Sequence, residues 1–245
     1  MLESLLLISV FATSVLSGIL GMAGGMILMA ILVSTLSVGA AMMLHGAVQA
    51  TANGSRAWFL RNHIQWRILP PYVLGAVAVL VLFIALTIVA DANLILMLVG
   101  IFPWLARLTP RLQGLDVTHL PTAAACGAVV TAAQLFAGAS GPLLDVFYLN
   151  ARLNRFEVIA SKAFTQAFGH LLKLFYYGLI IGVTDSVPAW LYAAAILTAV
   201  FGTRVGTRAL ERFSDERFRS VSSGVILAIA ALCFGRGAWN LLTGG

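Results

Sequence analysis

Apolar residues run through this chain in long blocks separated by short polar or basic stretches, the pattern of membrane-crossing helices. The first block, Leu5 to Leu36, is interrupted from Ser17 to Gly25, where four glycines in nine residues weaken any continuous helix. It therefore divides into Ser4 to Ser17 and Gly25 to Leu36, the second piece shorter than the roughly 20 residues a span needs. Val38 to Leu60 follows, then a basic connection, Arg61 to Arg67. Ile68 to Ala90 is a full span with Pro70 and Pro71 in its first turn, where proline suits a helix. Asp91 and Asn93 mark a tight turn, and Leu94 to Ala106 returns. After a polar linker the layout recurs: Thr122 to Ala137, a break at Gly138-Ala139-Ser140-Gly141-Pro142, and the short piece Leu143 to Asn150. Phe156 to Ile181, Pro188 to Thr203, a charged loop from Arg204 to Arg219, and Val221 to Leu242 complete the chain.

The recurrence extends to individual residues. A shift of 117 places Gly21 on Gly138, Gly24 on Gly141, Gln49 on Gln166, Arg56 on Lys173, Trp58 on Phe175 and Pro71 on Pro188. His45 falls on Lys162 and Asn53 on His170. This is the signature of a duplicated unit, with repeats at 1–106 and 122–245 and a linker at 107–121. Arginines cluster at 61–67, 107–111, 152–155 and 204–219, while the turns at Asp91 and Asp185 carry no basic residue. All four clusters share the cytoplasmic side only if each broken segment enters and leaves on one face. The expected fold is an all-α integral membrane protein. Its two repeats are inverted, each with a broken re-entrant helical segment followed by about three transmembrane helices. The N-terminus would then lie outside.

Composition agrees: 60% of the 245 residues are hydrophobic and 10% charged, against about 25% charged in soluble domains, and the mean hydropathy is +0.98. The net charge of +6 sits at segment ends, which excludes nucleic acid as a partner and leaves the lipid bilayer. Two cysteines, Cys126 and Cys233, form no metal or disulfide pattern, and no cofactor is expected.

Polar residues inside apolar spans carry the chemistry. His45, Gln49, Asn53 and Arg56 are spaced 4, 4 and 3 and share one helix face; Lys162, Gln166, His170 and Lys173 repeat that spacing. Charged groups in a span cost about 2.5–3.5 kcal/mol each on insertion scales and normally face a cavity. None of the eight is acidic, so such a cavity suits an anion. The short pieces after the breaks add free N–H donors and positive dipole ends around Gly24, Gly25, Gly141 and Leu143. Lys162 would supply the fixed charge. The histidines, with ordinary titration near neutral pH, would allow proton coupling.

Plainer roles exist for several of these residues. Glycine breaks are often helix-packing sites, and Gln49 and Gln166 could bond between helices. Arg56 and Lys173 could snorkel to an interface, and Asp145 could pair with Lys162 or Arg152. The five tryptophans, near segment ends, read as interface anchors.

The Gly21-Met22-Ala23-Gly24-Gly25 break, the Gln-bearing second helix and the stretch Asn62-His63-Ile64-Gln65-Trp66-Arg67 resemble the TauE/SafE sulfite exporter family. Its members commonly show a Gly-x-Gly-Gly-Gly break and a Gly-x-(Val/Ile)-Asp-Trp-Arg loop. This chain departs at Ala23 and Gln65, and has no cysteine in either break. The resemblance covers essentially the whole chain. It implies export of small sulfur oxyanions or organosulfonates, such as sulfite or sulfoacetate, across a bacterial cytoplasmic membrane. Residue pattern alone reaches only an anion transporter; with two inverted repeats, alternating access would rock one against the other. An anion channel, a carrier for another small organic anion, and a membrane-embedded enzyme built on Asp145 are the alternatives. A homodimer is compatible with the sequence.

Overall fold

The computed structural model describes residues 1–20, 23–108, 115–184, 187–210 and 215–243. The described residues form helices joined by short turns. In order these are α1 (Leu2–Leu20), α2 (Ala23–Val33), α3 (Val38–Phe59), α4 (Leu69–Leu86), α5 (Ala92–Leu108), α6 (Leu120–Ala137), α7 (Gly141–Tyr148), α8 (Arg155–Phe175), α9 (Ala189–Leu210) and α10 (Asp215–Thr243). A π-helical turn, Tyr176–Ile180, extends α8. Four of these segments are long and apolar enough to cross a membrane: Leu2–Ile19, Trp66–Leu86, Leu120–Ala137 and Ala189–Ala209. Their outward residues, such as Leu74, Val81, Leu197 and Phe201, are exposed large hydrophobics, as a lipid-facing surface requires.

The helices α3 and α8, 22 and 21 residues long, are too polar to join that group. They form the centre instead. Gly46 faces Lys173 and Leu174, Gly54 faces Ala167, and Ala57 clusters with Ala160 and Ala163. Numbers fall on α8 as they rise on α3, so these equivalent helices run antiparallel. Around them α1 packs on α9, α6 on α4, and α5 on α10. Under the 117-residue shift, α1 exchanges with α6 and α9 with α4, so the two outer pairs map onto each other.

Local chemistry explains the element ends. Asn154 caps α8 by accepting from Phe156 and Glu157 N–H, and Glu157 reaches back to the Asn154 N–H at 2.8 Å. Gln65 stands where the family resemblance leads one to expect aspartate. Its Nε2 donates to Glu157 Oε1 at 2.7 Å and its backbone N–H to Ser161 Oγ at 2.9 Å. A carboxylate at position 65 would repel Glu157; the amide ties the α3–α4 connection to the start of α8. Asp91 Oδ1 accepts from Asn93 and Leu94 N–H, closing the tight turn before α5. All five tryptophans are exposed at their positions near helix ends.

Three boundaries differ from expectation. Helix α1 continues through Gly18, because Gly18 serves close packing: a Cβ there would lie 2.7 Å from Gly206 Cα on α9. The first break is therefore narrower, and Gly21 and Met22 lie outside the described residues. Second, the charged loop expected from Arg204 is helical as far as Leu210, and helix resumes at Asp215. Arginine is a good helix former, Arg204 and Arg208 point outward, and Gly202 and Gly206 seat α1. Third, α5 reaches Leu108 and α6 starts at Leu120, so the 107–121 linker is shorter at both ends; its residues 109–114, like Asp185, lie outside the description. Within it, Val117 N–H donates to Phe147 O at 3.0 Å, anchoring the linker to α7.

Close backbone approach between α4 and α6 makes its glycines sensitive to size. A Cβ on Gly127 would collide with the Tyr72 carbonyl, whereas one on Gly54 would meet only Ala167 Cβ at 4.0 Å. Gly127→Leu should lower stability by about 1–3 kcal/mol or more through overpacking. Gly54→Ala should leave it unchanged or raise it by up to about 1 kcal/mol through helix propensity. The melting midpoint in detergent, read by gel filtration after heating, checks both.

Candidate functional site

Both breaks meet at the α3–α8 pair. At the second, Gly138 ends α6 with φ +76°, a left-handed conformation that glycine adopts without strain. Ser140 then caps α7 without a side-chain capping bond. At the first, α2 folds back along α1, with Gly24 pressed on Thr13 and Ser17. Gly25 lies against the Gln49 amide, and a Cβ there would be 3.2 Å from Gln49 Oε1.

A cavity of about 20 Å³ opens between the two breaks, lined by Gly25, Met26, His45, Gln49, Ala139, Ser140, Gly141, Gln166 and His170. That is room for about one water. Gln49 and Gln166 sit within one or two residues of the midpoints of α3 and α8, so the cavity lies halfway along the central pair. Three buried lining atoms have no hydrogen-bond partner: Gln49 Nε2, Ser140 Oγ and His170 Nδ1. No carboxylate lines the cavity. Asn53 accounts for the orientation of Gln49. Its Nδ2 donates to Gln49 O at 3.0 Å and to Gln49 Oε1 at 3.3 Å, which leaves the Gln49 N–H₂ as the free end. Helix geometry adds the Gly141 and Leu143 N–H groups of the first turn of α7, which have no intrahelical acceptor.

Behind the lining, one buried lysine ties both breaks together. Lys173 Nζ donates to Gly138 O at 3.1 Å and contacts His45 Nδ1 at 2.8 Å. His45 Nε2 in turn contacts Gly25 O at 2.8 Å. A carbonyl only accepts, so the imidazole proton is on Nε2, and Nδ1 accepts from the Lys173 ammonium. His170 packs edge-on to His45 with ring centroids 5.4 Å apart. Arg56, the repeat equivalent of Lys173, donates to Ser17 O at 2.7 Å. Each cation thus binds a carbonyl at the C-terminal end of its own repeat's first helix, where the helix dipole favours positive charge.

The predicted site residues divide accordingly. His45, Gln49, Gln166, His170, Gly25 and Gly141 line the cavity. Asn53 stands behind Gln49, and Lys173 behind His45. Leu143 side chain packs instead with Phe102, Ala133 and Ala137. Gly24 is a packing glycine against α1, the plainer role considered for such breaks. Lys162 is ion-paired with Asp145 and does not line the cavity, which removes it as the free positive charge beside the site. Arg56 neither snorkels outward nor lines the cavity. Ser140, Met26 and Ala139 were not singled out by sequence, although Ser140 and Ala139 stand within the second glycine break; a hydroxyl at the start of a short helix was the available signal. Among the described residues no group of histidine, cysteine, aspartate or glutamate could hold a metal.

Apolar outer helices around a polar central pair define a multi-pass helical membrane protein. The profile of the sulfite exporter TauE/SafE family matches residues 5–232, and the chain belongs to that family. It is a family of membrane transporters, not of enzymes. Comparison with curated proteins and with solved structures returned no match.

The lysine tether makes a directional prediction. Lys173→Met should speed amide hydrogen exchange at both breaks, in peptides covering Gly24 to Met29 and Gly138 to Leu144. His45→Ala should speed it only at the first, because Lys173 still holds Gly138. Exchange mass spectrometry in detergent reads both patterns.

Proposed function

We propose that this chain is a secondary transporter that exports small sulfur oxyanions or organosulfonates, of the sulfite or sulfoacetate kind, across a bacterial inner membrane. The observation that carries this is the trio of unpartnered atoms, Gln49 Nε2, Ser140 Oγ and His170 Nδ1, around one carboxylate-free cavity. Each can donate a hydrogen bond to an anion's oxygen, the histidine in the tautomer or charge state that protonates Nδ1. The α7 N-terminus adds N–H groups and a positive dipole end. Met26 and Ala139 offer an apolar wall for a short carbon chain. Family membership supports the sulfur-anion assignment.

The charge balance rests on Lys173, which is held by a carbonyl and an imidazole. Lys162 and Asp145 neutralise each other and brace α7 on α8. The cavity is smaller than such a substrate, so the structure corresponds to a contracted state that widens when one repeat rocks against the other. Antiparallel α3 and α8 and the exchanged outer pairs support an inverted-repeat, alternating-access mechanism. The paired histidines keep proton coupling within this scheme.

Counterflow in proteoliposomes tests the assignment with labelled sulfite, sulfoacetate, sulfate and a carboxylate. A carrier shows saturation and trans-stimulation, while a channel conducts without either. Gln49→Ala and Ser140→Ala should each raise the apparent KM for the transported sulfur anion about tenfold or more with Vmax within about threefold. Hydrogen bonds to a charged group contribute about 1.5–3 kcal/mol, and 1.4 kcal/mol is tenfold. Saturable transport of the carboxylate alone would sink the substrate assignment.

A further inference from the structure

Among the described residues, nine buried side-chain atoms lack a hydrogen-bond partner, and three of them line the cavity already described. The other six are Ser14 Oγ, Ser17 Oγ, Thr131 Oγ1, Gln134 Oε1, Tyr148 OH and Thr203 Oγ1. A buried polar atom without a partner is destabilising and calls for an explanation. Shifted by 117, Ser14 falls on Thr131 and Ser17 on Gln134. The same two positions of the first helix in each repeat therefore carry buried polar groups that make no bond within their own helix, Thr131 lying beside the Tyr72 hydroxyl.

Helix context sharpens this. A hydroxyl in a membrane helix usually satisfies itself on the carbonyl one turn back, and Thr13, Ser34, Thr35, Thr51, Thr165 and Thr207 all do so. Ser14, Ser17 and Thr131 do not. Both stripes also begin at the cavity edge. Ser17 Oγ lies against Gly24, whose neighbour Gly25 lines the cavity. Gln134 Oε1 lies against Gly169, and Gln134 Nε2 donates to Gln166 O at 3.5 Å. From there one stripe runs back along α1 through Ser14, beside Gly202 and Thr203 of α9. The other runs back along α6 through Thr131, where Tyr72 and Tyr148 share a cluster with Cys126 and Val130.

We infer that these two stripes are the closed walls of two half-passages, one on each side of the cavity, which take hydrated anions in turn. The inference rests on the alternating-access reading above and adds its routes: α1 with α9 for one side, α4 with α6 for the other. In the contracted state both are shut, with their polar groups packed between the helices. When a pair of helices parts, water reaches that stripe and satisfies it. Because α3 and α8 run antiparallel and the outer pairs exchange under the repeat, the stripes lead to opposite faces.

Sided cysteine labelling tests this with a membrane-impermeant thiosulfonate reagent that itself carries a sulfonate. In a Cys126→Ala, Cys233→Ala background, Ser14→Cys and Ser17→Cys should react from one face of the membrane only. Thr131→Cys and Gln134→Cys should react only from the other. Thr13→Cys, one residue from Ser14 but at a position where the native hydroxyl bonds to Ser9 O, should react at least tenfold more slowly than Ser14→Cys. Two positions per passage keep the test readable if one variant fails to assemble. Reaction of all positions from the same face, or of none from either, overturns the half-passages. So does equal reaction at Thr13 and Ser14. The labelling does not depend on which anion is carried: sided labelling with failed sulfur-anion counterflow would retain the passages and remove the substrate, and the converse would do the reverse.

Discussion

Everything in this structure depends on one constraint: a polar group buried among helices in hydrocarbon must find its partner within the protein. The helices α3 and α8, each with a row of polar residues along one face, meet it by packing on each other. Lys173 shows how tightly the constraint binds. A fully buried ammonium on α8 reaches across to His45 on α3 and to the carbonyl that ends α6. The imidazole passes the connection on to Gly25, in the other break. One side chain thereby joins two chain interruptions that are more than a hundred residues apart.

Positions related by the 117-residue shift share a frame but not their partners. Equivalent helices take equivalent places, and the cations Arg56 and Lys173 each hold a carbonyl at the end of the first helix in their own repeat. Only Lys173 has a histidine to continue through. Where the first repeat has His45 the second has Lys162, and that lysine found a partner in Asp145, which has no acidic counterpart at Leu28. The cavity is accordingly lopsided. Gly25 and Met26 come from the first break, Ala139, Ser140 and Gly141 from the second.

The fold was largely legible because its signals are local or periodic. Apolar block length marks a span, glycine density marks a break, and a constant shift of 117 marks a repeat. The errors fell where one residue type serves two purposes. Gly18 was read as part of the break, yet it is the point where α1 touches α9 at Gly206. Gly24 and Gly25 are adjacent and alike in sequence, but one packs on α1 and the other faces Gln49. The charged stretch after Thr203 reads as a loop by composition, although arginines sit well on the outward face of a continuing helix.

By itself, then, the sequence determined the class: a helical membrane protein with two glycine-rich breaks and a polar central face. Those properties follow from spacing along one helix and from transfer energies summed over a segment, both of which are local. Tertiary structure alone decided which cation stands free of a carboxylate. Lys162 and Lys173 lie on the same face of one helix, and the arrival of Asp145 on α7 neutralises only the first. It also decided that Asn53 orients Gln49, that Ser140 joins the cavity, and that nine buried polar atoms among the described residues remain without partners. Hydrogen-bond partnership between distant segments is a property of their packing, and no periodicity along the chain encodes it.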